Sequence, residues 1–348
     1  MLEVDAGSAY PVLTAGARVR VVAYIPFLRA HGVDLRFSSY VGCDEYRLMS
    51  GGGRHLAKVA VTARCAARVS RRAQRPGSLL MVHRLLSLVP VPGRDPPPVV
   101  NVYDFDDALF DESGAAGNGR WHRLKRERRR CLEHLRRATL VLAGNEYLAS
   151  HASRYAKRVE ILPSCVDPSV QRLRRHRDVD VPTVGWVGSA TTAPYLRELL
   201  PVFRALNRDR VTIRLLTVGA GRLPHEPWLE QRRWELESET DLLASLDIGV
   251  MPLPDDPWTR GKCGYKLLRY YAAGVPVVAS PVGVNRRLLE LGGGLAASSA
   301  EQWRSALCEL ASDPLARRQS GLAGRRLVES DFSYQRWAPE LSTMLRSV

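Results

Sequence analysis

Two lysines four residues apart, Lys262 and Lys266, open a stretch that reads as loop, helix, glycine stop and buried strand (GKCGYKLLRYYAAGVPVVAS, residues 261–280). The chain has 51 lysine and arginine residues, yet only Lys58, Lys125, Lys157, Lys262 and Lys266 are lysine. Two of these five fall in one short window of a chain that otherwise uses arginine for positive charge. A helix N-terminus offers free N–H groups and the positive end of the helix dipole. Ammonium groups added there make a cradle for a phosphate or diphosphate. The bland alternative is an amphipathic helix with solvated lysines; loop, glycines, charge and strand together favour the anion site.

Three further constellations carry chemistry. In Gly185–Thr192 (GWVGSATT) a strand ends at Gly188, and Ser189, Thr191 and Thr192 lead into a helix. Gly188 lets backbone approach a ligand, and the hydroxyls can cap the helix or bind phosphate. In Asp247–Asp256 (DIGVMPLPDD) a strand delivers a loop rich in Asp and Pro, with Asp255 and Asp256 as turn or site residues. In Tyr103–Asp107 (YDFDD) the carboxylates Asp104, Asp106 and Asp107 follow an apolar run. Clustered carboxylates repel and need a cation or a polar ligand; they can hold a divalent metal, orient sugar hydroxyls or cap a helix. His83, beside Arg84 after the strand LLMV, is a candidate site residue whose alternative role is structural. No Ser-His-Asp or Cys-His arrangement stands out. A GxGxxG fingerprint is absent, so nicotinamide and flavin chemistry are unsupported. No cofactor and no bound metal are expected.

These residues need elements to place them. Strand and helix signals alternate without internal repeats. Strands are expected at Val19–Ile25, Phe37–Val41, Leu79–His83, Val99–Tyr103, Thr139–Ala143 and Val159–Leu162, with helices at about 55–74, 123–137 and 146–155. Gly51-Gly52-Gly53 precedes the first of these helices. Residues 168–182 lose periodicity and become charged, which marks a linker. A second series follows, with strands at 184–187, 211–218, 248–252 and 275–279 and helices at 192–207, 240–245, 265–273, 300–312 and 314–330. A last helix places Trp337, Leu341 and Leu345 on one face. The pattern is α/β with mostly parallel sheets. It divides into residues 1–168, 181–330 and a C-terminal helix over 331–348.

Length and composition agree with two soluble domains: 348 residues, 45% hydrophobic and 25% charged. No run of about 18 apolar residues and no signal pattern occurs, so a cytoplasmic protein is expected. Six scattered cysteines without CxxC spacing argue against a zinc or disulfide framework. The net charge of +15 is concentrated in Arg64–Arg75, Arg120–Arg137 and Arg172–Arg177. A solvated basic helix face explains such clusters; docking at an anionic bilayer is the alternative.

The order WVGSATTAPYL, then DIGVMPLPDDPWTRGKCGYKLLRYYAAGVPVVASPVGVN, resembles the second half of family 4 glycosyltransferases. VNVYDFDDALF and VLAGNEYLASHA…VEILPSCVD resemble the first half, so the likeness covers roughly residues 19 to 345. The resemblance implies the GT-B fold: two Rossmann-like domains facing each other across a cleft, with the last helix returning to the first domain. It implies metal-independent transfer, with retention, from a nucleotide diphosphate sugar to an acceptor hydroxyl. The donor would bind the C-terminal domain and the acceptor the N-terminal one. On this likeness Gly188, Ser189, Thr191, Gly264, Tyr265, Arg269, Gly283 and Asn285 bind the donor. Lys262 and Lys266 neutralise the departing diphosphate, and Asp104 orients hydroxyls. His83, Arg84, Tyr103, Asp106 and Asp107 lie on the acceptor side. The family's Glu-x7-Glu is replaced here by Gly261 and Arg269, and its His-Asp pair by Tyr103-Asp104. The acceptor is a glycan, a lipid-linked sugar or a small molecule, and peripheral contact with the inner membrane face would suit the second of these. Rival readings are a nucleotide-sugar epimerase of the same architecture, a metal-dependent GT-A transferase using Asp104-Phe105-Asp106, and a basic binding protein. The last lacks any nucleic-acid-binding motif, and no nucleic-acid partner is expected.

Overall fold

The computed structural model describes residues 1–50, 55–111, 126–209 and 211–348. Gly51-Gly52-Gly53 and most of the expected 123–126 helix start lie outside the described residues. Two compact units share the chain. The first holds residues 1–111 and 126–164 together with Tyr334–Val348; the second holds Cys165–Ser333.

In the first unit, strands β1 (Leu2–Ser8), β2 (Val33–Ser39), β3 (Leu79–His83), β4 (Val100–Phe105), β5 (Ala138–Ala143) and β6 (Val159–Ile161) form one sheet in the order β2-β1-β3-β4-β5-β6. Every pairing is parallel. Helices cover such a sheet on both faces, which is why β5 is a nearly continuous apolar run. In register, His83 of β3 stands beside Asp104 of β4. The order turns at β1, which has β2 on one side and β3 on the other. Beyond the carboxyl ends of strands at such a switch, open α/β sheets take their ligands.

The expected strand at Val19–Ile25 is helical. Ala15–Arg20 and Ile25–Ala30 are α-helices joined by a 3₁₀ turn, and β1 is the earlier segment Leu2–Ser8. The buried residues Ala17, Val21, Tyr24 and Leu28 recur every three to four positions. A run apolar but for Arg20 hides that helical stripe, because periodicity cannot separate a buried strand from a buried helix. Pro26 supports the helical outcome by standing in a first turn. The second strand likewise begins at Val33 rather than Phe37.

In the second unit, β7 (Thr183–Val187), β8 (Arg214–Val218), β9 (Leu229–Arg232), β10 (Ile248–Met251), β11 (Val277–Ala279) and β12 (Leu295–Ala296) form a parallel sheet in the order β12-β11-β10-β7-β8-β9. Its faces are two separate cores. One joins Trp186, Leu196, Phe203 and Val250; the other joins Leu267, Tyr270, Tyr271 and Val277. Glycines in the strands allow close packing of helices. A Cβ on Gly249 would stand 2.5 Å from the Tyr270 ring. Tyr270 thereby reaches the end of β7, where its hydroxyl accepts a hydrogen bond from the Val187 N–H at 2.9 Å. That bond fixes helix Tyr265–Ala272 under the strand whose end carries Gly188.

The charged segment 168–182, expected as a linker, is bound to the second unit. Arg174 donates its N–H to the Ala273 carbonyl at 2.8 Å and pairs its guanidinium with Asp247. Gln171 donates to the Thr240 carbonyl at 3.2 Å. Polar side chains here satisfy exposed helix ends, so loss of periodicity does not mean free chain. Helix Tyr334–Arg346 groups with the first unit and buries Tyr334, Ala338, Leu341 and Leu345, with Trp337 at the margin. The Tyr334 hydroxyl donates to the Val19 carbonyl at 3.3 Å, and its ring meets Tyr24 edge-on at 4.8 Å.

Candidate functional site

The loop after β7 presents a short hydroxyl cluster. Ser189 and Thr191 share a hydrogen bond of 2.7 Å, and the Ser189 N–H donates to the Thr192 hydroxyl at 3.3 Å. Thr192 stands at the N-cap of helix Ala193–Arg208 without a side-chain capping bond, so its hydroxyl is not spent on the helix end. Lys266 comes to this loop from helix Tyr265–Ala272. Its ammonium donates to the Thr192 hydroxyl at 3.4 Å and lies 4.3 Å from the centre of the Trp186 ring. A ring face attracts a cation without neutralising it. A Cβ on Gly188 would stand 2.7 Å from the Lys266 Nζ and 2.3 Å from the indole. Only glycine leaves room there for both. Burial, and then the Lys262 ammonium, bring the Lys266 pKa down to about 7. Lys262 itself lies 4.6 Å over the Trp258 ring. Among the described residues, Gly188, Ser189, Thr191, Lys262 and Lys266 therefore belong to one neighbourhood rich in positive charge.

Gly264, Gly283 and Asn285 form a second cluster that shapes the backbone leading to Lys266. Gly264 has φ +65°, and a Cβ there would meet Leu288 at 2.4 Å. Gly283, at φ +54°, leaves space for the Arg260 carbonyl, 2.7 Å from its missing Cβ. Asn285 is fully buried; it donates to the Ser280 carbonyl at 3.3 Å, and its amide oxygen has no hydrogen-bond partner among the described residues. Asp255 and Asp256 take turn roles: Asp256 forms a capping box with Thr259, and Asp255 pairs with Arg260 at 2.6 Å.

Arg269, expected beside phosphate, forms an ion pair with Glu239. Glu239 also accepts the Trp234 indole N–H at 3.0 Å. This Glu239–Arg269 pair ties helix Tyr265–Ala272 to the chain after β9, and Tyr265 packs its ring 5.7 Å from the Arg269 guanidinium. Nothing in the spacing of the sequence joins Glu239 or Trp234 to Arg269, thirty and thirty-five positions away. Trp186 was legible as part of GWVGS, although its service to Lys266 was not.

In the first unit the acceptor-side candidates separate by face. Asp104 is 0% exposed, and the Arg20 guanidinium and the His83 Nδ1 bind it, the latter at 2.7 Å. Burial on its own would raise the Asp104 pKa; the Arg20 charge and the His83 hydrogen bond outweigh it and hold the carboxyl below its usual range. Arg84, in the left-handed region at φ +57°, donates its N–H to the Asp104 carbonyl at 2.8 Å. Its guanidinium binds Asp106 at 2.6 Å and Asp107 at 2.6 Å. Burial would raise the Asp106 pKa, but Arg84 keeps that carboxyl ionised. Tyr103 points the other way, as the alternation of a strand requires. Its ring stacks 4.8 Å from His134 and 5.5 Å from Phe105 in the core. Thus His83, Arg84, Asp104, Asp106 and Asp107 come together and Tyr103 does not. Arg20 joins them unforeseen, since the segment that carries it reads as a strand. Among the described residues, no group of three or more His, Cys, Asp or Glu side chains is arranged to hold a metal ion.

Residues 181–313 match the family model of glycosyl transferases group 1. No curated protein matches the chain. Among solved structures, sucrose-phosphate synthase from Thermosynechococcus elongatus is similar with a TM-score of 0.74 at 15% identity, over 100% of this chain and 99% of that one. WaaG, a glycosyltransferase involved in lipopolysaccharide biosynthesis, gives 0.66 at 13% identity over 100% of both chains. HepE from Anabaena, in complex with UDP and glucose, gives 0.65 at 12% identity, again over 100% of both. The chain has the GT-B fold, and its residues 181–313 carry the sequence pattern of the group 1 glycosyltransferases.

Proposed function

We propose that this protein is a glycosyltransferase that moves a sugar from a nucleotide diphosphate donor to an acceptor hydroxyl with retention at the anomeric carbon. The observation that carries the reading is the Lys266 ammonium, set on Trp186 beside the hydroxyl loop after β7, its pKa lowered by burial and by Lys262. In the reaction, the bond from the anomeric carbon to the diphosphate oxygen breaks as the acceptor oxygen bonds to that carbon. The acceptor proton passes to the departing diphosphate on the same face. Lys266 and Lys262 stabilise the charge that develops on the diphosphate; only stabilisation greater in the transition state than in the ground state raises the rate. Ser189 and Thr191 offer hydroxyls to the same anion. Asp104 acts through His83, holding the ring by Nδ1. Arg269 is a positioning residue for Trp234 through Glu239.

The similar HepE has been solved with UDP-glucose, which supports a nucleotide sugar as donor here. Peripheral contact with an anionic membrane is the finer expectation. Helix His55–Ser70 supports it: the helix contains no acidic residue and exposes Leu56 at 87% and Val59 at 54%. No helix among the described residues is long and apolar enough to cross a membrane. A thermal-shift panel of UDP, GDP and dTDP tests the donor reading, because a ligand that binds the folded chain raises its Tm. One of the three should do so; no shift with any of them at millimolar concentration overturns it.

A further inference from the structure

Two arginine-rich runs, far apart in the chain, meet on the second unit. Residues 171–177 (QRLRRHR) and 315–326 (LARRQSGLAGRR) carry eight arginines and no acidic residue. Glycines bring the runs together. The Leu173 side chain lies 3.5 Å from where a Cβ on Gly274 would stand, and the His176 ring 3.1 Å from one on Gly321. Half of the arginines are spent on the fold. Arg174 pairs with Asp247, Arg172 with Asp241 at 2.8 Å and Arg325 with Glu329 at 2.5 Å, while Arg317 donates to the Leu310 carbonyl at 2.7 Å. The other four, Arg175, Arg177, Arg318 and Arg326, are exposed and make no side-chain hydrogen bond or ion pair among the described residues. Burial, and then Arg174 and Arg318, lower the His176 pKa, so the two runs share one positive field.

On helix Pro314–Asp331, Leu315, Arg318, Leu322 and Arg326 recur every three or four positions and stand on one face. Leu315 is 67% exposed, Leu173 48% and Leu322 38%. The runs lie at the amino ends of the strands. Asp247, bound by Arg174, also accepts the N–H of Thr183, the first residue of β7, at 2.8 Å, and Gly274 leads into β11. The hydroxyl loop and Lys266 stand at the opposite, carboxyl end of β7. We infer that this arginine and leucine face docks on an anionic bilayer, with the guanidiniums on lipid phosphates and the leucines in the acyl boundary. Guanidiniums bind phosphate bidentately, and each basic residue near an anionic membrane strengthens docking about fivefold. The leucines decide among anions: a soluble polyanion gains nothing from them, and a bilayer does. A partner segment bound by strand addition needs a sheet edge, and the edge strands β9 and β12 contribute none of these residues. The inference does not rest on the transferase reading. It gives the membrane contact a seat in the second unit, apart from helix His55–Ser70.

The test is co-sedimentation of the full chain with vesicles of phosphatidylcholine and phosphatidylglycerol in equal parts, against vesicles of phosphatidylcholine alone. The native chain should bind the mixed vesicles and leave the neutral ones. Arg318→Gln should weaken binding about fivefold, and Arg175→Gln/Arg177→Gln/Arg318→Gln/Arg326→Gln on the order of a hundredfold or more. Leu315→Ser/Leu322→Ser should weaken it about tenfold and leave the binding of inositol hexakisphosphate, a soluble polyanion, unchanged. All six positions are exposed, so the variants should fold, and Tm checks that they do. No binding to mixed vesicles, equal binding to both kinds, or a leucine variant that binds like the native chain would each overturn the inference. A quadruple variant that binds like the native chain would also do so, and loss of binding in Leu56→Ser/Val59→Ser would then move the contact to the first unit. The Tm response to UDP, GDP and dTDP should be the same in the native chain and the quadruple variant. No response in either sinks the transferase reading and leaves the docking face standing; a response lost only in the variant would put these arginines in nucleotide binding and overturn the inference.

Discussion

The Asp104 cluster of the first unit and Lys266 of the second treat buried charge in opposite ways. In the first, Asp104 is held by Arg20 and His83, and Arg84 is clamped between Asp106 and Asp107. Each ion there has its counter-ion within the protein. In the second, Lys266 rests on an indole and a threonine hydroxyl, and its strongest charged neighbour is another ammonium. A compensated cluster holds its own shape and fixes the groups around it. An uncompensated cation costs stability and is better satisfied when an anion arrives. On the proposed function, the first cluster would position and the second would capture an anion.

Removing one partner from the compensated cluster should have the largest effect. Asp104→Ala leaves Arg20 buried without its counter-ion and should cost about 3–5 kcal/mol of stability, read from chemical denaturation. A loss below about 1 kcal/mol would mean the cluster is not a structural ion pair. The same kind of deletion in the second unit should spare stability and damage turnover. Lys266→Ala should slow transfer about a hundredfold, near 3 kcal/mol in the barrier, with Tm unchanged or raised. A folded variant that keeps its turnover removes Lys266 from the mechanism. Gly264→Ala tests the scaffold of that lysine: positive φ and the contact with Leu288 should cost about 2 kcal/mol. A neutral result in denaturation would show that the loop has a second conformation open to it.

The two clusters also separate by pH. The Lys266 pKa is lowered on folding to about 7, so above that pH the unfolded chain holds the extra proton. Stability should rise from pH about 7 toward the ordinary lysine range, and Lys266→Met should flatten that rise. Nucleotide affinity should fall over the same interval as the ammonium is lost. Asp104 works in the acid range: its carboxyl is depressed on folding, so its contribution is present above the ordinary aspartate pKa and fades as pH falls through the lowered value. An acid limb that survives Asp104→Asn would assign it to other carboxylates.

Much of the second unit was legible in the residues. Strands at 184–187, 248–252 and 275–279 and the helix after Gly264 stand where apolar runs and glycines put them, because there the local signals agree. The first strand was missed and a helix was read as strand, since Val19–Ile25 is apolar except for Arg20 and β1 carries Glu3, Asp5 and Gly7 among its apolar residues. Those acidic residues belong to an ion-pair site: Asp5 binds Arg75 at 2.7 Å, seventy positions away.

The sequence alone determined the alternation of strand and helix, the glycines that admit positive φ at 264 and 283, and the short lysine window in an arginine-rich chain. These are local properties, written in residue type and spacing. Tertiary structure alone decided which charges are answered. Whether Arg269 meets phosphate or Glu239, whether Asp104 faces ligand or Arg20, and whether Lys266 finds a carboxylate or an indole all depend on residues distant in the chain. Electrostatic pairing acts through space and steeply with distance and burial, and neither is encoded in separation along the chain.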